Sequence, residues 1–396
     1  MTAARGSGGD DPSVASPAAL EGVRIADFSR VLAGPLATML LADLGAEVVK
    51  IERPEGGDDT RAWGPPWAPD GESSYFLGVN RNKRSVALEL TVPGDLAVAH
   101  ELVARADVVI ENFRPGVMAR FGLDEPTLRA ARPELIYCRI LGIGRGDVAG
   151  YDFLAQAVGG LMSVTGEPDG QPLKVGVALV DVMAGLHATI GILAALRHRD
   201  RTGEGQLVEV DLLSTTLFAL ANQASGFLTA GVVPGRMGNR HPSIAPYETL
   251  PTAEGAIVVA IGNDVQFRAF AELLGDSGLA DDPRFATNAA RVTHRDELGA
   301  VLAALLASRS AAAWVDVLRS AGIPCGVVHD VAEAFAYART VGLDPVVRVA
   351  RSDGSTVDTV ANPLFLSRTP PRYGSAPPRL GEHDDEIRRP KEARDA

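Results

Sequence analysis

The chain has 396 residues, a formal net charge of −12, 46% hydrophobic and 22% charged residues. At about 150 residues per folding unit this length predicts roughly two domains, and the composition excludes a disordered or disulfide-stapled chain. The acidic balance excludes a broad surface for nucleic acid or anionic membranes, which bind clustered positive charge, so an anionic ligand must meet a local basic patch. Cys138 and Cys325 lie far apart with no CxxC or metal-ligand spacing, which fits a reducing, cytoplasmic setting.

Residues 1–19 are rich in Gly, Ser, Pro and Asp, which predicts a disordered tail and a fold beginning near Leu20. Val23–Phe28 alternates like a strand, Pro35 suits a first helical turn, and Gly45 stops that helix before the apolar Val48–Ile51. The β-α-β pattern recurs with Ser85–Leu90 as strand, Asp95–Arg105 as helix, Val108–Asn112 as strand, Glu125–Ala131 as helix and Leu135–Leu141 as strand. Such alternation favours a doubly wound, mainly parallel sheet.

A helix over Phe153–Val164 leads to the apolar Val175–Val180, read as a strand, then a long helix at Val182–Arg199 and a strand at Leu207–Leu212. Val175–Leu196 has the length of a membrane span, but Asp181 and His187 interrupt it and no aromatic anchors flank it, so no membrane partner is expected. From Gly226 to Tyr247 the texture turns to Gly, Pro, Arg and Asn, as in a linker or active-site loop. Residues 224–330 then read as a linker and a smaller α/β domain, with a strand at Ala256–Ile261, helices at Val265–Leu274, Asp296–Ala307 and Ala311–Ala321, and the apolar Pro324–Val328. Residues 331–396 read as a return segment, with two β-like runs around the Ser352–Ser355 turn and a Pro-rich strap over Pro370–Pro378.

Several chemistries lack their motifs. No P-loop lysine motif is present, the turn after the first strand lacks GxGxxG, and Gly142–Gly146 matches neither fingerprint and reads as a flexible loop. No metal site is expected, because the seven histidines are scattered without HExxH, and no GxSxG elbow marks a hydrolase serine. What stands out is Asp181 in the apolar run Val175–Gly185, where a strand hands over to a helix. The free N–H groups and positive dipole end of that helix favour an ionised carboxylate, which can act as a nucleophile or simply cap the helix. The small residues Ala184, Gly185, Ala188 and Gly191 leave room beside it for a ligand or a backbone. Arg53, Arg81, Lys83, Arg84, Arg114 and Arg120 form a basic group that suits a polyphosphate nucleotide.

These residues carry a resemblance. Gly22–Phe28, Ala33–Pro35, Leu44–Pro54, Asn82–Ser85, Glu111–Gly116, the Asp181 segment, Arg201–Gln206 and Leu380–His383 resemble class III CoA transferases from Leu20 to Ile387. That group includes formyl-CoA transferase, carnitine CoA-transferase, succinyl-CoA:dicarboxylate CoA-transferases and the α-methylacyl-CoA racemases. The resemblance implies an α/β fold with a Rossmann-like, CoA-binding large domain over 20–223, rejoined by 331–396, and a smaller α/β domain. It also implies an interlocked homodimer. It places the catalytic aspartate on Asp181 and the CoA contacts on Val31, Ala33, Arg53, Leu88, Asn112, Phe113 and Arg120. Acyl-CoA and a carboxylic acid are the implied substrates, with no permanently bound cofactor.

Two departures narrow the expectation. Where the racemases carry a His-Asp pair this chain has Tyr151-Asp152, and racemisation needs an acid and a base on opposite faces of the α-carbon. His187 lies six residues from Asp181, a helical rotation of roughly 240°, and points elsewhere. Where the formyl-CoA enzyme has a glutamine this chain has Leu32, and Arg236–Tyr247 lacks its glycine-rich loop. That segment looks more like relatives that use succinyl-CoA and dicarboxylic acids. Arg240 and His241 either pair with a second carboxylate or hold a turn, and Leu32, Tyr151 and Tyr247 are further substrate candidates. The expected reaction is CoA transfer from an acyl-CoA donor to a carboxylic acid through aspartyl anhydride and aspartyl-CoA intermediates. The alternatives are a 2-methylacyl-CoA racemase and a non-catalytic CoA-binding protein.

Overall fold

Six parallel strands organise the first half of the chain: β1 (Arg24–Asp27), β2 (Glu47–Glu52), β3 (Lys83–Ala87), β4 (Val108–Glu111), β5 (Ile136–Leu141) and β6 (Leu207–Asp211). Their order in the sheet is β3-β2-β1-β4-β5-β6, the doubly wound arrangement in which ligands bind beyond the carboxyl ends of the strands where the order reverses. Here that switch point lies between β1 and β4. The computed structural model describes residues 17–144, 148 and 150–389. Most of the expected tail, and Arg145 and Gly146 of the glycine-rich run, lie outside them.

The intervening helices are α1 (Ala33–Asp43), α2 (Ser74–Leu77), α3 (Pro93–Arg105), α4 (Glu125–Ala131), α5 (Asp152–Val158), α6 (Leu179–Thr202) and α7 (Leu212–Ala219). Val49, Ile51, Val86, Val109 and Tyr137 from the sheet pack with Ala99 and Val103 of α3 in a buried core, as expected of strands covered on both faces. α6 packs along α1. A Cβ on Gly185 would stand 2.6 Å from the Ala33 carbonyl oxygen, and one on Gly191 would stand 2.6 Å from Val208 Cγ1. The small residues of α6 therefore admit a neighbouring backbone and a strand side chain. Among the described residues α6 alone is long and apolar enough to cross a membrane, yet half of its apolar window is buried in the fold.

The second half of the chain begins with α8 (Ala221–Ala230), followed by β7 (Tyr247–Pro251), β8 (Ala256–Ala260), α9 (Asp264–Leu273), α10 (Asn288–Thr293), α11 (Arg295–Leu306), α12 (Ala311–Ser320), β9 (Cys325–Gly326) and α13 (Val331–Thr340). β7, β8 and β9 form an antiparallel sheet. It packs with Phe267, Phe270, Phe285 and Trp314 in a separate core. β10 (Val346–Ala350) and β11 (Thr356–Val360) then pair antiparallel, and α14 (Asp384–Arg388) ends the described chain. Two compact units result: one from the chain up to Gly159, Val177–Ala219 and the chain from Asp344 on, the other from Gly160–Gly176 and Leu220–Leu343.

The carboxyl-terminal return closes the exposed edge of β3. His383 N–H donates to the Ser85 carbonyl, Ala87 N–H donates to Asp384, and Gly381 N–H donates to Ser85 Oγ. Arg81 is almost fully buried and pairs bidentately with Asp43, whose carboxylate also accepts from Asn362 Nδ2 at 3.0 Å. Lys83 is equally buried and reaches Asp27 at 3.2 Å. These two members of the expected basic group are thus structural: each neutralises a buried aspartate and neither presents charge to a ligand.

Candidate active site

A cleft of about 1060 Å³ opens at the switch point of the sheet. Its walls come from the segments that leave the strand ends: Arg30–Ala33 after β1, Asn112–Pro115 after β4, Ile140–Gly142 at the end of β5 and Leu212 after β6, with Tyr151 and Asp181. Val31, Leu32, Ala33, Asn112, Phe113, Tyr151 and Asp181, all chosen from sequence, therefore converge on one cavity. A second cleft of about 810 Å³ holds Arg53, Leu88 and Arg120, and Arg30 and Phe113 line both. All seven residues given as CoA contacts fall on these two clefts.

Asp181 does not stand at a strand end. Val175–Ala178 is irregular, α6 starts at Leu179, and Asp181 lies in its first turn rather than at the cap, where Ala178 makes no side-chain bond. The cap is supplied from another helix. Asp152, buried at the start of α5, accepts from the N–H of Val180 at 2.8 Å and of Asp181 at 3.3 Å. With those donors satisfied, the apolar 179–180 pair winds into helix instead of extending as a strand. The same bonds take up two of the free N–H groups expected to favour an ionised Asp181. Gln156 Nε2 in turn donates to Asp152 at 2.6 Å.

Asp181 itself has no ion pair and no side-chain hydrogen bond among the described residues. Burial first, and the neighbouring Asp152 carboxylate second, push its pKa from 3.8 up to about 7. Tyr75 on α2 was not singled out from sequence, because a tyrosine in a short helix carries no signal of its own. Burial first, then the charges of Asp181, Asp152 and Asp58, push its phenol up to about 12, which places it within the field of the site.

The cationic side differs from residue to residue. Arg53 Nη2 donates to Asp59 Oδ1 at 2.6 Å and Arg30 Nη1 to Asp59 Oδ2 at 3.2 Å, so one aspartate holds both guanidinium groups at the junction of the clefts. Arg120 is exposed, stands 5.9 Å over the Phe121 ring and has no carboxylate partner among the described residues. In the second unit, Arg240, His241 and Tyr247 line a cleft of about 490 Å³ with Asn222, Gln223 and Asn239. The Arg240 guanidinium already meets Glu248 at 3.2 Å and Asp296 at 2.6 Å. His241 accepts from the Ser243 N–H and lies 5.3 Å from the Tyr247 ring. His187 packs edge-on against Phe218, 5.4 Å away, as a helix-surface contact.

Residues 20–384 match the family described as CoA-transferase family III. The chain belongs to this family. It is a CoA-transferase. A succinate–glutarate CoA-transferase from Agrobacterium fabrum is 43% identical over 93% of this chain and 94% of that protein, and a succinyl-CoA:glutarate CoA-transferase from Mus musculus is 39% identical over 93% and 85%. An acetyl-CoA:oxalate CoA-transferase from Acetobacter aceti is also 39% identical, over 93% of this chain and 95% of that protein. A solved CAIB/BAIF family protein from Brucella suis is 41% identical and superposes with a TM-score of 0.83, covering 94% of this chain and 99% of that one. Rv3272 from Mycobacterium tuberculosis, 31% identical, superposes with a TM-score of 0.84 over 94% and 99%. A family III transferase exchanges CoA between a thioester and an acid; of the two adjoining clefts here, one carries Arg30, Arg53 and Arg120 and the other the unpartnered Asp181 carboxylate.

Proposed function

We propose that this enzyme transfers CoA from succinyl-CoA to a dicarboxylic acid, with Asp181 as the covalent nucleophile. The observation that carries the reading is that Asp181 faces the switch-point cleft without a cation or hydrogen-bond donor to quench it. The three curated relatives named above each take a dicarboxylate, glutarate or oxalate, which supports the acceptor class.

An Asp181 oxygen attacks the thioester carbonyl, the C–S bond breaks, and CoA leaves as the thiolate with an aspartyl-acyl anhydride in place. The thiolate attacks the Asp181 carbonyl and expels the donor acid, leaving an aspartyl-CoA thioester. The acceptor carboxylate attacks that thioester, releasing thiolate. The thiolate then attacks the acceptor's carbonyl in the new anhydride, forming the product thioester and restoring Asp181. Activation stays in covalent bonds throughout, so no nucleotide hydrolysis is required. Incubation with succinyl-CoA and glutarate, read by mass spectrometry, should yield glutaryl-CoA, and no exchange with any dicarboxylate would refute the reading.

Arg120 and Arg53 are assigned to the CoA phosphates, Arg120 more strongly because no carboxylate competes for it. Arg120→Ala should raise KM for the acyl-CoA roughly tenfold, the scale of one charge-assisted hydrogen bond. kcat should change little, and the effect should fade at high salt. An unchanged KM at low salt would remove Arg120 from the site.

The Asp181 pKa also sets a pH dependence. Attack requires the ionised carboxylate, so kcat/KM should rise through about pH 7. Asp152→Asn keeps an oxygen for the helix cap but deletes the charge that helps raise Asp181. The rising limb should therefore move to lower pH, and a shift to higher pH, or none, would contradict the assignment.

We assign the assembly to a homodimer in the reducing cytoplasm. Phe153 and Val158 on α5, Ile190 on α6, and Leu217 and Phe218 on α7 are all more than half exposed, apolar surface of the kind a partner subunit covers. The two free cysteines agree with that compartment.

A further inference from the structure

Val31 adopts φ +70°, a left-handed conformation that is an outlier for a β-branched residue and persists only where the surroundings impose it. Three groups impose it here, two of them, Lys50 and Asp58, wholly buried. Asn112 clamps the preceding residue through both of its peptides, accepting from Arg30 N–H at 2.9 Å and donating to the Arg30 carbonyl at 2.8 Å. Lys50 donates to the Ser29 carbonyl at 2.8 Å. Asp58 accepts from the Val31 N–H itself, 3.2 and 3.3 Å from its two oxygens.

Asp58 is fixed in turn by Lys50 at 2.9 Å, with both side chains wholly buried, and by the N–H and hydroxyl of Thr60. Asp58 lines the cleft of Arg53 and Arg120 while the turn it grips lines the Asp181 cleft. The pair therefore spans from one cleft to the wall of the other. A buried ion pair is weak evidence of stabilisation, because desolvation consumes most of the attraction. A salt bridge that holds an outlier turn at the mouth of the reacting cleft has a more specific use.

We propose that Asp58, held by Lys50, is a positioning residue for CoA transfer: its carboxylate locks Val31 in the left-handed turn and so sets the main-chain wall facing Asp181. The inference rests on transfer taking place in the Asp181 cleft. Burial opposes ionisation of Asp58, but the Lys50 ammonium outweighs it and holds the carboxyl down at about 2. Asp58 therefore stays ionised, and the lock closed, around neutral pH.

The test is a double-mutant cycle between D58N and V31G, measuring kcat and KM for succinyl-CoA with glutarate alongside the melting temperature. D58N, whose amide still offers an oxygen but no charge to the Val31 N–H and Lys50, should lower kcat/KM roughly tenfold, about the difference between a charged and a neutral hydrogen bond. In the V31G background, where glycine takes positive φ without help, the same substitution should cost less than about threefold. A merely structural Asp58 lowers activity and melting temperature equally in both backgrounds, and equal losses overturn the proposal. Should D58N not fold, D58E supplies the same cycle, since it keeps the charge for Lys50 and displaces the acceptor from Val31. Wild-type protein without any transfer would instead refute the Asp181 reading.

Discussion

Asp181→Asn should abolish CoA transfer, with a loss on the order of 10³-fold or more, the scale expected if the covalent nucleophile proposed above is removed. CoA binding, measured by titration with CoA itself, should stay within about twofold because the contacts of the Arg53 and Arg120 cleft are untouched. Intact-mass analysis of the wild-type enzyme with succinyl-CoA alone should show a hydroxylamine-sensitive adduct that the variant lacks. The same substitution stabilises the fold at neutral and alkaline pH. The folded-state pKa of Asp181 lies near 7, above the ordinary 3.8, so the native state binds the extra proton between those values and stability falls as pH rises through that window. The amide avoids that cost, so the melting temperature of the variant matches wild type below pH 4 and exceeds it increasingly up to about pH 7. A variant that loses activity and stability together at pH 8 would mark Asp181 as structural.

Gly185→Ala has the second large effect. Its new methyl would stand 2.6 Å from the Ala33 carbonyl, a backbone atom that cannot step aside, and overpacking of this kind costs typically about 1–3 kcal/mol. Because Ala33 opens α1 and lines the cleft, the displaced helix also moves the wall facing Asp181, so transfer falls about tenfold or more. Gly226→Ala is the control: it lies within α8 and its methyl meets nothing within 4 Å, so the protein gains about 0.5–1 kcal/mol. Equal melting temperatures for Gly185→Ala and wild type would show that α1 and α6 have slack the packing does not suggest.

The alternation of apolar strands and amphipathic helices was legible, and α3, α4, α9, α11 and α12 fall within about two residues of their expected limits. The start of α6 was not. Val175–Val180 is as apolar as a buried strand, and what turns its end into helix is Asp152, 28 residues before Val180 in the sequence. Periodicity cannot register a cap delivered from such a distance. Arg81 and Lys83 mislead for the same reason. Their charge is visible in the sequence, but Asp43 at the end of α1 and Asp27 in β1, which absorb it, are brought to them only by the fold. Asp181 was found because one acid in an apolar run is conspicuous locally. Asp58 and Tyr75 were missed because their meaning depends on the Val31 turn and on the cleft.

The edge of β3 is sealed by residues 381–384, almost 300 positions further along the chain. A growing polypeptide leaving the ribosome therefore exposes the first strands of this sheet long before their last neighbour has been synthesised, whereas the 220–343 block can complete its own core midway. Loss of the final residues should strand that early sheet with an open flank, and nascent chains stalled before position 380 should depend on chaperones to stay soluble.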